Sequence, residues 1–267
     1  MRQIFKDMNI QKAVDEDGFT TMPFLDKNEV DYLVSLYHRL GIPGLEDLGF
    51  HATMSSPDSA YRREVDLQIK QIVKPKVDKL LIDFKPIFAN YIIKEPHREN
   101  ECPVHQDWSY IDETQLTSIN IWCPLVDTNK YNGAMQGLRG SHKLKTPIRF
   151  TPHIQPDWTR FNNIIKVKME PLYLNAGEAL IYNSRVIHYT PTNITDKARL
   201  AFGFVNIPVE AQSLHYFLNE EGKLEMFRAE GDFYYNLKIG VQPDESNYLG
   251  EIDFDKECFR KEELLAL

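Results

Sequence analysis

His105 and Asp107 are separated by a single residue, and on an extended segment side chains two apart point to the same side, so both can reach one metal ion. A third ligand has to come from elsewhere in the chain. His188 lies 83 residues later, within Val186-Ile-His-Tyr-Thr190. Two histidines and a carboxylate on one face of an octahedral metal leave the opposite positions open, which is the donor arrangement of iron(II) oxygenases. The same donors suit zinc and hydrolysis. Alone, an HxD pattern equally describes a surface or core-edge histidine beside an acid.

Arg199 follows His188 by 11 residues and opens the run Arg199-Leu-Ala-Phe-Gly-Phe-Val205. If the two segments are neighbouring strands, the guanidinium can enter the same cavity and bind a carboxylate through paired, charge-assisted hydrogen bonds. Ala201 and Gly203, next on that face, are small and leave room for a ligand. Thr190, two residues after His188, brings a hydroxyl to the same side. The alternative for Arg199 is a surface ion pair with Asp196. Phe202 and Phe204 alternate away from Arg199 and are expected in the core, and Gln106 points away from its neighbours as a structural residue. Trp108 and Tyr110 reach either the substrate or an aromatic packing layer. His142, at a turn, is expected to be structural. His38, His51, His97, His153 and His215 have no ligand-like spacing and read as solvated or packed.

The elements that must hold these residues can be traced along the chain. Asp26 with Glu29 forms a capping box, followed by Val30, Leu33, Leu36 and Tyr37 at helical spacing until Gly41. A second helix is predicted from Ser56-Pro57 as Ncap and N1, through Val65, Ile69, Val73 and Val77, with a break or kink at Pro75. From about residue 86 strands take over: Phe88 to Ile93, Ser118 to Val126, Ile164 to Leu174, Glu178 to Tyr182, Val186 to Thr190 and Leu200 to Ile207. Turn signals such as Asn132-Gly133 and Arg139-Gly140 separate them, which favours an antiparallel sandwich or barrel. No linker or repeat divides the 267 residues, so one domain is expected: a helical part over about 1–85, a β core over about 86–208, and a covering segment over about 209–267.

The totals narrow the function. A formal net charge of −8 disfavours nucleic-acid binding. Cys102, Cys123 and Cys258, odd in number and widely spaced, form no disulfide framework or zinc motif and suit a reducing compartment. The charged N-terminus reads as neither a secretory signal nor a membrane anchor, and no apolar run reaches spanning length, so a cytoplasmic protein with no membrane partner is expected.

Taken together, Asp17-Gly-Phe-Thr-Thr-Met-Pro-Phe-Leu25, His105-Gln-Asp107, the Asn132-Gly133 to Gly140-Ser-His-Lys143 turn, and His188 with Arg199 resemble the phytanoyl-CoA dioxygenase family of Fe(II)/2-oxoglutarate oxygenases. The likeness runs from Asp17 to Ile207. It implies a mainly β fold with flanking helices, a double-stranded β-helix (cupin-like jelly roll). It also implies a dioxygenase that uses Fe(II), 2-oxoglutarate and O2 to hydroxylate a small molecule, with His105, Asp107 and His188 as catalytic iron ligands. Arg199 and Thr190 would bind the far carboxylate of 2-oxoglutarate. Trp122 matches an aromatic position lining the cosubstrate pocket, and Asn120, its alternation partner, should face the same cavity. Arg139 departs from the family's proline before Gly-Ser-His. The acidic ligand Asp107 favours hydroxylation over the halogenation of related enzymes that carry a small residue there. A zinc hydrolase and a non-catalytic small-molecule binder are the alternatives.

Overall fold

Alternation along the strands of this computed structural model sends successive side chains to two different buried layers. The structure describes residues 2–96, 98–151, 157–253 and 258–267, so His97 and His153 lie outside the described residues. The larger sheet is antiparallel, in the order β1 (Phe19–Pro23), β8 (Glu178–Asn183), β5 (Ile119–Pro124), β10 (Arg199–Pro208), β3 (Phe84–Lys94) and β2 (Phe50–Ala52). A second sheet runs β4 (Cys102–His105), β9 (His188–Thr190), β6 (Gln136–Gly137) and β7 (Glu170–Pro171). These two sheets, with residues of both around one cavity, make the jelly roll expected above. A third sheet, β11 (Leu214–Leu218), β12 (Leu224–Arg228) and β13 (Tyr248–Ile252), belongs to the C-terminal segment.

One face of the larger sheet carries Tyr91, Ile93, Ile119, Ile121, Phe202 and Phe204, packed under helices α1 (Met8–Asp17), α2 (Lys27–Leu40) and α3 (Ser59–Leu80). Leu33, Leu36, Ile69 and Val73 of the helices complete this core and are fully buried. Truncating any one of them to alanine would cost about 2–5 kcal/mol. The opposite face carries Arg199, Ala201 and Gly203 of β10, Lys94, Ile92 and Asn90 of β3, and Asn120 and Trp122 of β5, through the antiparallel register of these three strands. The rigid helical layer on one side thus fixes the strands whose other side faces the cavity.

Local chemistry explains both the agreement with the sequence and the departures from it. The α2 capping box forms as expected: Asp26 accepts from Glu29 N, and Glu29 accepts from Asp26 N. The next helix is capped by Asp58 rather than Ser56, because the Asp58 carboxylate accepts from Ala60 N and Tyr61 N while Ser56 Oγ donates to Pro43 O. Helix α3 also continues through Pro75. The proline sits on the exposed face, as does Gln71 four residues earlier, so water can satisfy the freed carbonyl.

The strand expected over Ile164 to Leu174 is mostly absent. Asn162–Lys168 is a short helix, and strand pairing is confined to Glu170 and Pro171. Its β-branched residues suit a strand, but burial of Ile165 in one cluster with Val104 and Phe259 and the lysines of the last turn both support the helix.

The C-terminal segment closes one end of the larger sheet. Phe217, Phe227, Phe233 and Tyr234 pack against Phe88, Tyr110 and Val205. No helix among the described residues is long and apolar enough to cross a membrane.

Candidate metal centre

Strands β4 and β9 pair so that His105 stands directly opposite His188. Their ring centroids lie 4.1 Å apart, and His188 Nε2 is 3.8 Å from Asp107 Oδ1. Donor atoms of His105, Asp107 and His188 all fall within 4.8 Å of one another, the one group of this kind among the described residues. The sequence expectation for these three residues therefore meets at one point in space.

The rings are oriented from behind. His105 Nδ1 lies 2.7 Å from Pro103 O, and His188 Nδ1 lies 3.0 Å from Val186 O. A carbonyl can only accept, so each Nδ1 carries a hydrogen, and in the neutral ring Nε2 is the nitrogen whose lone pair faces a metal. Burial, reinforced by the neighbouring His105, pushes His188 down to about 4. At His105 burial also opposes a proton, but the Cys102 thiol 3.8 Å away and Asp107 outweigh it and raise the ring to about 9. A metal entering the site would displace that proton.

Asp107 is held by residues from the larger sheet. The Tyr182 hydroxyl donates to Oδ2 at 2.8 Å, and Asn120 Nδ2 donates to the same oxygen. From the other side, Arg149 Nε donates to the Asp107 backbone carbonyl at 2.8 Å, while its remaining nitrogens bind Glu113. Sequence reading singled out neither Tyr182 nor the Arg149–Glu113 pair. Tyr182 had a faint signal, lying on a strand six residues before His188. The pair had none, because its partners are joined only by the fold.

Arg199 does not lie on a strand beside His188. Strand β10 pairs with β3 and β5, so Arg199 stands on the sheet opposite the one that carries His188. It is 1% exposed, and Nε, Nη1 and Nη2 all lack a hydrogen-bond partner. A surface pair with Asp196 is thereby excluded. Its Cζ stands 5.2 Å from the centre of the Trp122 ring. The Thr190 hydroxyl is buried and also unpartnered.

Directly opposite Arg199 on β3 is Lys94, fully buried, whose ammonium donates to Thr190 O at 3.1 Å and to Asn100 O. Burial, with Arg199 adding repulsion, lowers Lys94 to about 7. Two buried cations thus face each other without a bonded carboxylate, a costly arrangement unless a ligand supplies negative charge.

Beyond the metal-ligand cluster the cavity is lined by Trp108 and Tyr110, and both rings are also packed: Trp108 edge-on to His215 and Tyr110 edge-on to Phe88. Gln106 donates to Arg185 O in a structural role, although it too borders the cavity. Phe202 and Phe204 sit in the main core. His142 faces the α1 end, with Nε2 3.2 Å from Asp15 O. His51 and His215 are buried and His38 is exposed.

A profile of the family described as Phytanoyl-CoA dioxygenase (PhyH) matches residues 15–201. Phytanoyl-CoA dioxygenase of Arabidopsis thaliana is 26% identical over 204 residues, which cover 72% of this chain and 61% of the relative. A phytanoyl-CoA dioxygenase domain-containing protein 1 homolog of Dictyostelium discoideum is 27% identical over 121 residues, 42% of each chain. The matched regions therefore span roughly half the length of these curated relatives.

Among solved structures, the non-heme alpha ketoglutarate dependent carbocyclase SnoK superposes with a TM-score of 0.55 at 19% identity, covering 78% of this chain and 86% of its own. EvdO2 from Micromonospora carbonacea, complexed with 2-oxoglutarate, gives 0.52 at 20% identity, covering 76% and 91%. HygX from Streptomyces hygroscopicus, with nickel, 2-oxoglutarate and hygromycin B bound, gives 0.52 at 14% identity, covering 76% and 88%. At these identities the agreement establishes a shared fold.

Proposed function

Because this chain belongs to the phytanoyl-CoA dioxygenase family, we propose that it is an Fe(II)- and 2-oxoglutarate-dependent oxygenase that hydroxylates a C–H bond of a small molecule. The observation that carries the proposal is the buried Arg199 guanidinium, whose three nitrogens have no partner. A zinc hydrolase or an empty binding pocket gives that group no work, whereas a dicarboxylate neutralises it.

The residues fit both groups. His105 Nε2, His188 Nε2 and one Asp107 oxygen would hold the iron, and their mixed nitrogen and oxygen donors suit it. Arg199 and the Thr190 hydroxyl would bind the far carboxylate of 2-oxoglutarate, with Trp122 as the wall beside it. When bound, iron and 2-oxoglutarate supply activation of O2, with succinate and CO2 as the cosubstrate's products.

The protein's own part is positional. Pro103 O and Val186 O fix the two imidazoles, and Tyr182 and Asn120 pin Asp107 Oδ2, which leaves Oδ1 turned toward His188. The apolar side chains beside the metal ligands, Phe88, Ile92 and Trp108 among them, would limit access of water to the reacting carbon.

The test is release of succinate from 2-oxoglutarate by purified protein under air, with Fe(II) or with Zn(II). Succinate that requires Fe(II) and disappears in His188→Ala supports the reading. Hydrolytic activity with Zn(II) and no succinate under any condition would replace it with the hydrolase.

A further inference from the structure

The cavity outside the metal-ligand cluster measures about 190 Å³, with His105 and Asp107 on its inner wall. Its remaining lining is dominated by Phe50, Met54, Phe88, Ile92, Trp108 and Tyr110. Among the described residues no lysine or arginine lines it, and Asp107 is its one carboxylate. That carboxylate is already committed to Tyr182, Asn120 and the metal-ligand cluster.

Of the amides on these walls, Asn120 is committed to Asp107 and Gln106 to Arg185, which leaves Asn90. Asn90 is 7% exposed and borders the cavity, yet its side-chain amide has no hydrogen-bond partner among the described residues. It faces Gly203 across the β3–β10 pair, and a Cβ at Gly203 would lie 3.2 Å from Asn90 Oδ1. Glycine there keeps space open in front of the amide. An amide that opens onto a cavity and is engaged by no protein group is available to bond a ligand there.

Resting on the oxygenase reading, we propose that this cavity takes an uncharged, compact substrate with a one- or two-ring apolar body, oriented by a hydroxyl or carbonyl group on the Asn90 amide. Size supports the body, since an apolar void of about 150 Å³ takes up one benzene ring. The aromatic walls of Phe88, Tyr110 and Trp108 favour a flat or alicyclic shape. A CoA thioester brings several phosphate charges and finds no cation on the lining, and a polyamine finds no free carboxylate. An amide can donate to a carbonyl or accept from a hydroxyl, which accommodates either neutral group.

The experiment uses protein loaded anaerobically with Fe(II) and 2-oxoglutarate, whose visible band is recorded first. Calorimetric titrations then compare naphthalenemethanol, unsubstituted naphthalene, naphthoate and naphthylmethylammonium. The neutral alcohol is expected to bind at least about tenfold more tightly than either ion, the scale of one buried polar mismatch. Asn90→Leu and Asn90→Ala should erase the preference for the alcohol over naphthalene while leaving the folded protein at least as resistant to urea. The class is overturned if either ion binds as tightly as the alcohol, if none of the four binds, or if both variants keep the alcohol preference. Absence of the visible band instead overturns the oxygenase reading, and the same ligand order can then be read on metal-free protein.

Discussion

Tyr182 donates its hydroxyl to Asp107 Oδ2 at 2.8 Å, and the other oxygen of the same carboxylate, Oδ1, lies 3.8 Å from His188 Nε2. The two oxygens therefore differ: Oδ2 is anchored to the larger sheet, whereas Oδ1 is turned toward His188, where it would meet the metal of the proposed oxygenase. Removing the hydroxyl in Tyr182→Phe keeps the ring against His188, at 5.4 Å between centroids, but frees the carboxylate to turn. Such outer partners are worth about 10- to 100-fold in metal affinity. A chelator competition should show Fe(II) binding weakened by about tenfold or more in Tyr182→Phe, with unchanged circular dichroism. Equal affinity would mean that Asn120 and the backbone suffice to fix Asp107.

Arg199 makes opposite predictions for the free and the loaded protein. Without a ligand it is a buried charge lacking a hydrogen-bond partner, so Arg199→Met should leave thermal stability unchanged or higher. Binding of 2-oxoglutarate should weaken by about 2–5 kcal/mol, the loss expected when one partner of a buried charge pair is deleted. Arg199→Lys should recover only part of it, because an ammonium cannot form the planar fork. A large loss of stability in ligand-free Arg199→Met would show that the guanidinium has a structural task instead.

Lys94 sets a pH dependence. Burial, then Arg199, lower it from 10.5 to about 7, against weaker support from Cys102 and Glu101. Between those values the unfolded chain binds more protons than the folded one, so stability rises with pH across the window. Below about 7 both states carry the proton and the penalty of burying it is fully present. Urea midpoints of metal-free protein should climb from about pH 7 to pH 10, and Lys94→Met should flatten the climb. Parallel profiles for the two proteins would contradict this.

Arg149 and Glu113 form a pair with side chains 2% and 14% exposed, tied to the Asp107 carbonyl. Arg149→Met leaves the largely buried Glu113 with only the Ser109 hydroxyl as a partner, which should cost about 3–5 kcal/mol in urea unfolding. The double variant Arg149→Met/Glu113→Leu should regain much of that stability. If it regains none, the clamp on the His105–Asp107 segment, rather than the ion pair, is what stabilises this region.

How much of this was legible in the sequence follows from the range of each interaction. His105 and Asp107 could be read because two residues on one extended segment share a side, and Arg199 because it begins an alternating strand. The hold on Asp107 could not: Tyr182 on β8 and Asn120 on β5, the latter expected only to face the cavity, meet it through the sheet order. Lys94 escaped notice for the same reason, since its position opposite Arg199 is a matter of strand register. The β-branched run after Ile164 was misread because local preference is weak where packing of a single side chain, Ile165, decides the conformation. Asn90 was invisible as a site residue until its amide proved to be buried against a cavity with no partner.

The most direct measurement is the visible spectrum of metal-free protein given Fe(II) and 2-oxoglutarate without oxygen. A keto acid chelated to iron held by His105, Asp107 and His188 should give a weak charge-transfer band. The band should be lost in His188→Ala and should need far more 2-oxoglutarate in Arg199→Met. A featureless spectrum from folded protein that has bound the iron would contradict the assignment of 2-oxoglutarate to this site.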